Sequence, residues 1–462
     1  MNAVSDDRAP SDARPGPAPL PGAVRHRRFT LVGSVVGAVL VALDGTLLTV
    51  AQPTLQRDLD ASFAQVQWTS TGYLIAVASL LVLAGRLGDR YGHRRMFGLG
   101  TLGFAAASAG IALAPDIGWV VGLRVAQGVF GALLQPATLG MLRAAYPPDR
   151  LGMPLALRTS AIGVAAAAGP LVGGVLVAHL GWRSVFLLTV VPALAIAVPA
   201  LVVRDPEPAR ESEASPSLDL PGAALLAAAL GSFVHALVTL PDSVLGLLAA
   251  AAFGAAFVLR ERRTSSPLVP PRVLRPAAVR GALGALVAAS AALFGTLFVC
   301  TYFLQDVLAL DPLATGLTVL PVAVTMVLAA PLAAVLARRC GPRRTTVGAA
   351  LLLTLGVLLL SRLDPDTGRV AVGGASLLVG AGFGAVMVTA TTVVVRHASV
   401  ADGGVAGGLQ QTAMNVGPVL GVAVATTLLA RGDFVEATGP ALTALAAVAA
   451  AGALLATRLP SK

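Results

Sequence analysis

Two charged residues of this 462-residue chain lie well away from the ends of long apolar segments, Asp44 within 30–50 and Arg124 within 117–142. A charge inside a membrane is costly unless it is paired, so such a residue is a functional candidate with a partner to be named. Burial favours the neutral carboxylic acid, whereas a nearby guanidinium favours the carboxylate. A carboxyl group that alternates between these surroundings takes up and releases a proton. The alternative is a static ion pair that fixes two helices.

A second pattern, Gly85-x-Leu-Gly-Asp-Arg-x-Gly-His-Arg-Arg, joins two apolar segments. Its basic residues include Arg90, Arg94 and Arg95. Cytoplasmic loops carry such positive charge in any case, but charge alone does not explain Asp89 or the glycines. A carboxylate near a helix end accepts hydrogen bonds from a neighbouring helix N-terminus or from an arginine, and Gly92 permits a tight turn. We therefore expect residues 85–95 to form a cytoplasmic latch.

The same pattern recurs in weaker form at residues 334–344, which match 85–95 at five of eleven positions with an offset of 249. The matching residues of this second loop include Arg339, Gly341 and Arg343. Residues 169–173 have a similar echo at 417–421, with an offset of 248. One shared offset indicates two parallel copies of one unit. Parallel repeats are typical of transporters that rock one half against the other.

The composition places these residues in a membrane. The chain is 56% hydrophobic and 12% charged, against roughly 25% charged in an ordinary soluble domain. An apolar run of about 20 residues crosses a bilayer, and on this basis we predict an all-α polytopic protein with fourteen spans. They lie near 30–50, 67–86, 96–114, 117–142, 157–179, 183–202, 221–239, 243–259, 279–303, 313–336, 345–361, 370–391, 404–429 and 438–457.

We expect four regions along the chain. Residues 1–29 form a disordered cytoplasmic tail, 30–202 a six-helix bundle, 203–278 a linker with two extra helices, and 279–462 a second six-helix bundle with a short tail. With the N-terminus inside, the external loops hold only five of the 33 basic residues. The positive-inside rule then places both termini in the cytoplasm of a multi-pass protein of the cell membrane.

The net charge of +10 is spread too thinly for a nucleic-acid-binding surface. Two cysteines are too few for a disulfide framework, and neither has metal-ligand neighbours. The sequence contains no phosphate-binding Gly-x-x-x-x-Gly-Lys loop for ATP. We therefore expect no cofactor, no metal and no nucleic acid partner. The spans also lack the residue clusters of an enzyme.

Uncharged polar side chains inside the spans are candidates for a substrate cavity. They are Tyr73, Gln127, Gln135, Gln305, Gln410, Gln411 and Asn415. Hydrogen bonds that simply join helices explain each of them equally well. In the fifth span, Gly169 and Gly173 form a small-residue face for close helix packing, and Pro170 removes a backbone donor and introduces a bend.

Several of these patterns resemble one known family. The 85–95 loop looks like the signature loop of the major facilitator superfamily, and Arg124-x-x-Gln-Gly resembles a further motif of it. Gly169-Pro170-x-x-Gly173-Gly174 is similar to a motif of its antiporters. Leu43-Asp44-x-Thr46-x-x-Thr49 resembles the helix 1 motif of its fourteen-helix drug–proton antiporters. The resemblance spans about 30–457 and implies that Asp44 and Arg124 take part in proton coupling.

The resemblance implies a proton-coupled exporter of lipophilic small molecules such as drugs and antibiotics, driven by the proton motive force through alternating access. Its partners are then the substrate, protons and the lipid bilayer, and a monomer is expected. One alternative is a dedicated metabolite or solute transporter, working by symport or export. A second alternative is a non-transporting membrane sensor with the same fold.

Overall fold

The computed structural model describes residues 21–202, 219–238, 244–265, 267–310, 312–364, 368–399, 402–429 and 434–461. Within these ranges the chain forms fourteen helices of 19 to 38 residues and one of four residues. They are α1 (Pro21–Asp58), α2 (Phe63–Tyr91), α3 (His93–Ala112), α4 (Ile117–Ala145), α5 (Gly152–Leu180), α6 (Arg183–Val202), α7 (Leu220–Val238), α8 (Val244–Arg263), α9 (Pro271–Leu274), α10 (Ala277–Tyr302), α11 (Pro312–Cys340), α12 (Pro342–Leu360), α13 (Arg369–His397), α14 (Gly403–Leu429) and α15 (Phe434–Ala456).

Twelve of the long helices are long and apolar enough to cross a membrane, and α3 and α5 are not among them. The prediction of fourteen spans is therefore not supported by this criterion. Helix α3 opens on His93, Arg94 and Arg95 and contains several glycines, and these polar and small residues lower its mean hydropathy. In α5, the side chains at 166, 167, 170 and 171 lie outside the described part of the chain.

The predicted disordered tail needs a second correction. Helix α1 begins at Pro21, so residues 21–29 are helical, and residues 1–20 lie outside the described ranges. Proline suits the first turn of a helix because its missing N–H has no intrahelical partner there. The residues that follow Pro21 and Gly22 are compatible with a helix. Helix α1 therefore begins before the apolar run of residues 30–50.

Local sequence signals fix several helix ends. Ser62 and Gln65 form a reciprocal capping box at the start of α2, with the Ser62 hydroxyl accepting from the Gln65 N–H at 3.3 Å. The Asp116 carboxylate accepts from the Trp119 N–H at 3.1 Å and caps α4. These caps set where the functional residues of α2 and α4 lie along the bundle.

The internal repeat is visible in the backbone. Helix α2 ends at Tyr91 and α11 ends at Cys340, which is the predicted offset of 249. Each is followed by a glycine with positive φ, 93° at Gly92 and 85° at Gly341. Glycine adopts this conformation without the penalty that a Cβ imposes. The two turns therefore have the same geometry in both copies.

Helices α1–α6 pack mainly with one another, and α10–α15 do the same. Phe97 and Phe104 belong to a buried cluster of the first group, and Leu353, Phe383 and Leu445 to that of the second. Helices α7 and α8 pack together, and α7 also packs against α2.

The two groups contact each other through α2 with α14, α5 with α11, and α4 with α14. Close approaches between the groups, Gly85 with Gly404 and Gly152 with Ala334, lie at one end of the bundle. We name this end the basic face because it carries Arg90, Arg95, Arg339 and Arg396. The bundle is closed at this face.

Candidate ion-pair network and latch

Asp44 and Arg124 form a buried ion pair inside the first helix group. Arg124 Nη1 lies 2.6 Å from Asp44 Oδ2, and each side chain is 2% exposed. Arg124 Nε donates to the Thr69 carbonyl oxygen at 3.0 Å. The guanidinium also lies over the ring of Tyr73, 4.4 Å from the ring centroid, an arrangement that favours a cation. Helices α1, α2 and α4 therefore hold the pair together.

Gln127 connects the two charged groups to α3. Its Nε2 donates to Asp44 Oδ1 at 3.0 Å and to Ser108 Oγ at 2.8 Å, and its Oε1 accepts from Arg124 Nη1. Arg124 and Gln127 are three residues apart, so they share one face of α4. The structure thus places Gln127, predicted to line a cavity, in a fully buried network.

Hydrogen bonds between charged groups are the stronger kind, so these contacts hold the two helices firmly together. A buried charge that loses its partner is strongly disfavoured. The Asp44–Arg124 pair therefore joins α1 to α4 through a buried contact between opposite charges.

Asp89 forms the latch predicted for the 85–95 loop. Its two carboxylate oxygens accept from the backbone N–H groups of Gly404 at 2.6 Å and Val405 at 3.0 Å. Both donors lie in the first turn of α14, where backbone donors and the helix dipole favour an anion. His93 Nε2 lies 3.3 Å from the same carboxylate. The latch joins the two helix groups at the basic face.

Glycines permit the close approach beside this latch. A Cβ on Gly85 would overlap the carbonyl oxygen of Gly404, and a Cβ on Gly404 would overlap that of Gly85. A Cβ on Gly408 would lie 2.6 Å from the carbonyl oxygen of Leu81. Helices α2 and α14 therefore touch backbone to backbone.

Two arginines of the loop lie at the protein surface, and a third is partly buried. Arg90 and Arg95 are exposed, and Arg90 lies over the Tyr91 ring at 5.4 Å. Arg94 Nη2 donates to the Pro199 carbonyl oxygen at 3.1 Å and ties α3 to α6. These arginines contribute positive charge to the basic face, whereas Asp89 forms the contact between the two helix groups.

The second loop has a different chemistry. Arg339 and Arg343 are exposed, and the residue at the position equivalent to Asp89 is Arg338. Helix α5, the counterpart of α14, starts after Leu151 without a side-chain cap. The contact consists instead of small residues, since a Cβ on Gly152 would lie 3.6 Å from that of Ala334. The two predicted latches are therefore not alike.

The helix 5 motif packs beside Asp44. A Cβ on Gly169 would overlap Thr46 Oγ1, and one on Gly173 would lie 3.1 Å from Leu47 Cδ2. A Cβ on Gly174 would have no neighbouring atom within 4 Å. The bend predicted at Pro170 concerns a side chain outside the described residues. The two close contacts hold α5 against the part of α1 that carries the acid.

The remaining cavity candidates are either hydrogen-bonded inside the bundle or partly exposed at a helix end. Gln411 Nε2 donates to Gln135 Oε1 at 2.5 Å, and this bond joins α14 to α4. Asn415 donates to the Gln411 carbonyl oxygen at 2.8 Å, and Gln410 to Thr391 Oγ1 at 3.2 Å. Gln305 is partly exposed in a short π-helical turn after α10. Of these cavity candidates, only Gln135 and Gln411 form a hydrogen bond that joins the two helix groups.

The sequence did not reveal two partners of the network, Thr69 and Ser108. Thr69 contributes a backbone oxygen, and Ser108 is a small polar residue of a kind common in apolar helices. The backbone donors of Gly404 and Val405 also carry no residue-type signal. The only available sign was the Gly403–Gly404 pair at a helix start.

Two repeated helix groups that close against each other at one face, with a buried ion pair in one group, define a secondary transporter architecture. Residues 35–422 match the Major Facilitator Superfamily, and the chain belongs to this superfamily. The superfamily predicted from the motifs is therefore confirmed.

Similar proteins include two from Streptomyces. The tetracenomycin C resistance and export protein of Streptomyces glaucescens is 40% identical over 408 residues, which cover 87% of this chain and 76% of that protein. The puromycin resistance protein pur8 of Streptomyces alboniger is 35% identical over 419 residues, 87% of this chain and 82% of that one. The crystal structure of the human organic anion transporter MFSD10 (TETRAN) superposes with a TM-score of 0.68 at 17% identity, over 94% of this chain and 100% of that chain, and shows the shared fold.

Proposed function

We propose that this chain exports lipophilic small molecules from the cell in exchange for protons, as a drug:H+ antiporter rather than an enzyme. The buried Asp44–Arg124 pair with its Gln127 bridge carries this proposal. It provides a carboxyl group whose proton affinity depends on the positions of α1 and α4. The resistance and export proteins among the relatives support the direction of transport.

Transport proceeds by alternating access between the halves 30–202 and 279–462. When the basic face is closed, Asp89 caps α14 and the glycines of α2 and α14 are in contact. Opening this face breaks both contacts and exposes the space between the halves to the cytoplasm. Protonation of Asp44 changes the network that α1 shares with α4, which couples the proton to this motion.

The basic face is the cytoplasmic face, because basic residues concentrate on the cytoplasmic side of membrane proteins. Both termini then lie in the cytoplasm. Helices α3 and α5 cross the membrane as well, which gives fourteen spans. Their packing supports this, since α3 lies against α4 and α6, and α5 against α1 and α11. The 203–278 segment contributes the extra helix pair α7 and α8. The protein works as a monomer without a cofactor, and the proton gradient supplies the energy.

The test uses proteoliposomes with an acidic lumen. In protein inserted with its cytoplasmic face outward, protons leaving the lumen drive substrate into it. Uptake of puromycin and of ethidium is measured together with lumenal pH. Wild type takes up substrate and loses lumenal protons, and Asp44→Asn abolishes both while folding normally. Asp116→Asn is the matched control, because asparagine also caps a helix. Wild-type uptake and proton counterflow in Asp44→Asn would overturn the proposal.

A further inference from the structure

Arg158 is a second buried arginine of the bundle, and it differs from Arg124 in having no partner among the described residues. It lies in α5, six residues after Gly152, and is 3% exposed. Its buried Nε has no hydrogen-bond partner. No described residue forms an ion pair with its guanidinium, and it is not among those with further contacts. Arg124, by contrast, bonds to a carboxylate, an amide and a carbonyl oxygen.

An isolated buried charge costs far more than a paired one. Arginine stays charged under all relevant conditions, so Arg158 cannot escape this cost by releasing its proton. A leucine or methionine would fill the same volume without it. An anion beside this side chain would remove the cost, and the described part of the chain supplies none.

The position of Arg158 is the contact between the two halves. On α5 it shares a helix face with Leu155 and Ile162. Leu155 packs in a cluster with Leu139 and Val395, and Ile162 packs against the core of the second half. Ser160 also joins α5 to α11 at this contact, because its hydroxyl donates to the Val327 carbonyl oxygen at 2.8 Å. This contact separates when the basic face opens.

A cavity of about 250 Å³ lies at the basic-face end of the same contact. The charged residues that line it are Asp149, Arg150, Arg338 and Arg396. Three cations against one anion give it a positive potential, which concentrates anions at its entrance. Arg158 lies about 9 Å further along α5 than Gly152, which lines the cavity. The basic cavity and the guanidinium of Arg158 thus lie along the same contact between α5 and the second half.

We propose that Arg158 binds the anionic group of transported lipophilic acids, such as a carboxylate or a phenolate oxygen. The planar guanidinium offers two parallel donors to such a group. The proposal rests on the proposed export function and specifies a substrate class for it. Opening of the basic face exposes Arg158, and an incoming anion restores the missing partner as the halves close.

The test measures binding to purified protein in nanodiscs of phosphatidylcholine, which contain no anionic lipid. The probes are fluorescein, an anion at neutral pH, and ethidium, a cation. Wild type binds fluorescein, and Arg158→Gln weakens this binding about tenfold or more while ethidium binding changes less than twofold. Arg158→Lys keeps the charge without the planar fork and gives an intermediate affinity. Arg344→Gln, at an exposed arginine of the same face, leaves both affinities unchanged.

The thermal midpoint of Arg158→Gln is not lowered, because the substitution removes an unpaired charge. A structural role for Arg158 predicts the opposite: a lower midpoint and equal losses for both dyes. That result would overturn the inference, and so would a wild type that fails to bind fluorescein. If wild type exports ethidium but does not bind fluorescein, the inference fails alone. If it binds fluorescein through Arg158 but exports neither dye, the proposed function fails alone.

Discussion

Gly85 and Gly404 touch so closely that the carbonyl oxygen of each occupies the place where a Cβ of the other would lie. They belong to different halves of the molecule, and the carboxylate of Asp89 bonds to Gly404 beside them. Closure of the basic face therefore depends on the absence of two side chains as well as on one charged latch.

We expect Gly85→Ala to prevent this closure. The added methyl group meets backbone rather than a flexible side chain, and overpacking of this kind costs about 1–3 kcal/mol. The bundle then shifts toward the state that is open at the basic face. Maleimide labelling of Ser160→Cys, in a variant without Cys300 and Cys340, should be about 5- to 150-fold faster from that face, by the same energy range.

Gly348→Ala in α12 is the matched control, since a Cβ there has nothing within 4 Å. Its labelling rate should equal that of the parent protein. Equal rates in Gly85→Ala and the parent would mean that the glycine contact does not control closure.

The sequence could predict residues whose surroundings follow from polarity alone. Asp44 and Arg124 are charges in apolar runs, so their pairing was foreseeable, and the offset of 249 predicted the matching turns at Gly92 and Gly341. Ser108 was not foreseeable, because its contact with Gln127 depends on how α3 packs against α4. Arg158 lies at the predicted edge of its span, and only the tertiary structure shows that it is buried.

Arg124→Gln should destabilise the protein more than the double variant Asp44→Asn/Arg124→Gln. Removal of the arginine alone leaves a buried carboxylate without its cation, which costs about 3–5 kcal/mol. The second substitution removes that charge and recovers part of the loss. Thermal midpoints of the four proteins in detergent give the coupling directly. Additive losses would show that the two groups do not interact energetically.

Gln127→Leu should uncouple substrate export from proton flow. Leucine cannot donate to Asp44 Oδ1 or to Ser108 Oγ, which Gln127 reaches at 3.0 and 2.8 Å. An unsatisfied buried acceptor costs about 1–3 kcal/mol, so the charged form of Asp44 loses stability. Protons released per ethidium molecule in proteoliposomes should fall. Gln305→Leu, at a partly exposed position, is the control, and an equal ratio in both variants would exclude a role for Gln127 in coupling.

The contact between Asp402 and Arg272 ties the inserted segment to the start of α14, and it should make stability depend on acidity. Arg272 Nε and Nη2 donate to the two carboxylate oxygens at 2.8 and 2.9 Å. Burial by itself raises the pKa of Asp402, but the hydrogen bonds from Arg272 and Ser399 and the charges of Arg272 and Arg86 outweigh it and lower that pKa below its ordinary value.

A carboxyl group whose pKa is lowered by folding stabilises the protein above its unfolded pKa, about 3.9. This contribution is lost as the pH falls through the lower folded value. The thermal midpoint of wild type should therefore drop steeply below about pH 4, and Arg272→Gln should show a shallower drop. Scanning calorimetry or dye fluorescence between neutral and acidic pH measures both slopes, with Arg344→Gln as the control for loss of one basic charge. Identical slopes in wild type and Arg272→Gln would show that this ion pair does not contribute to acid sensitivity.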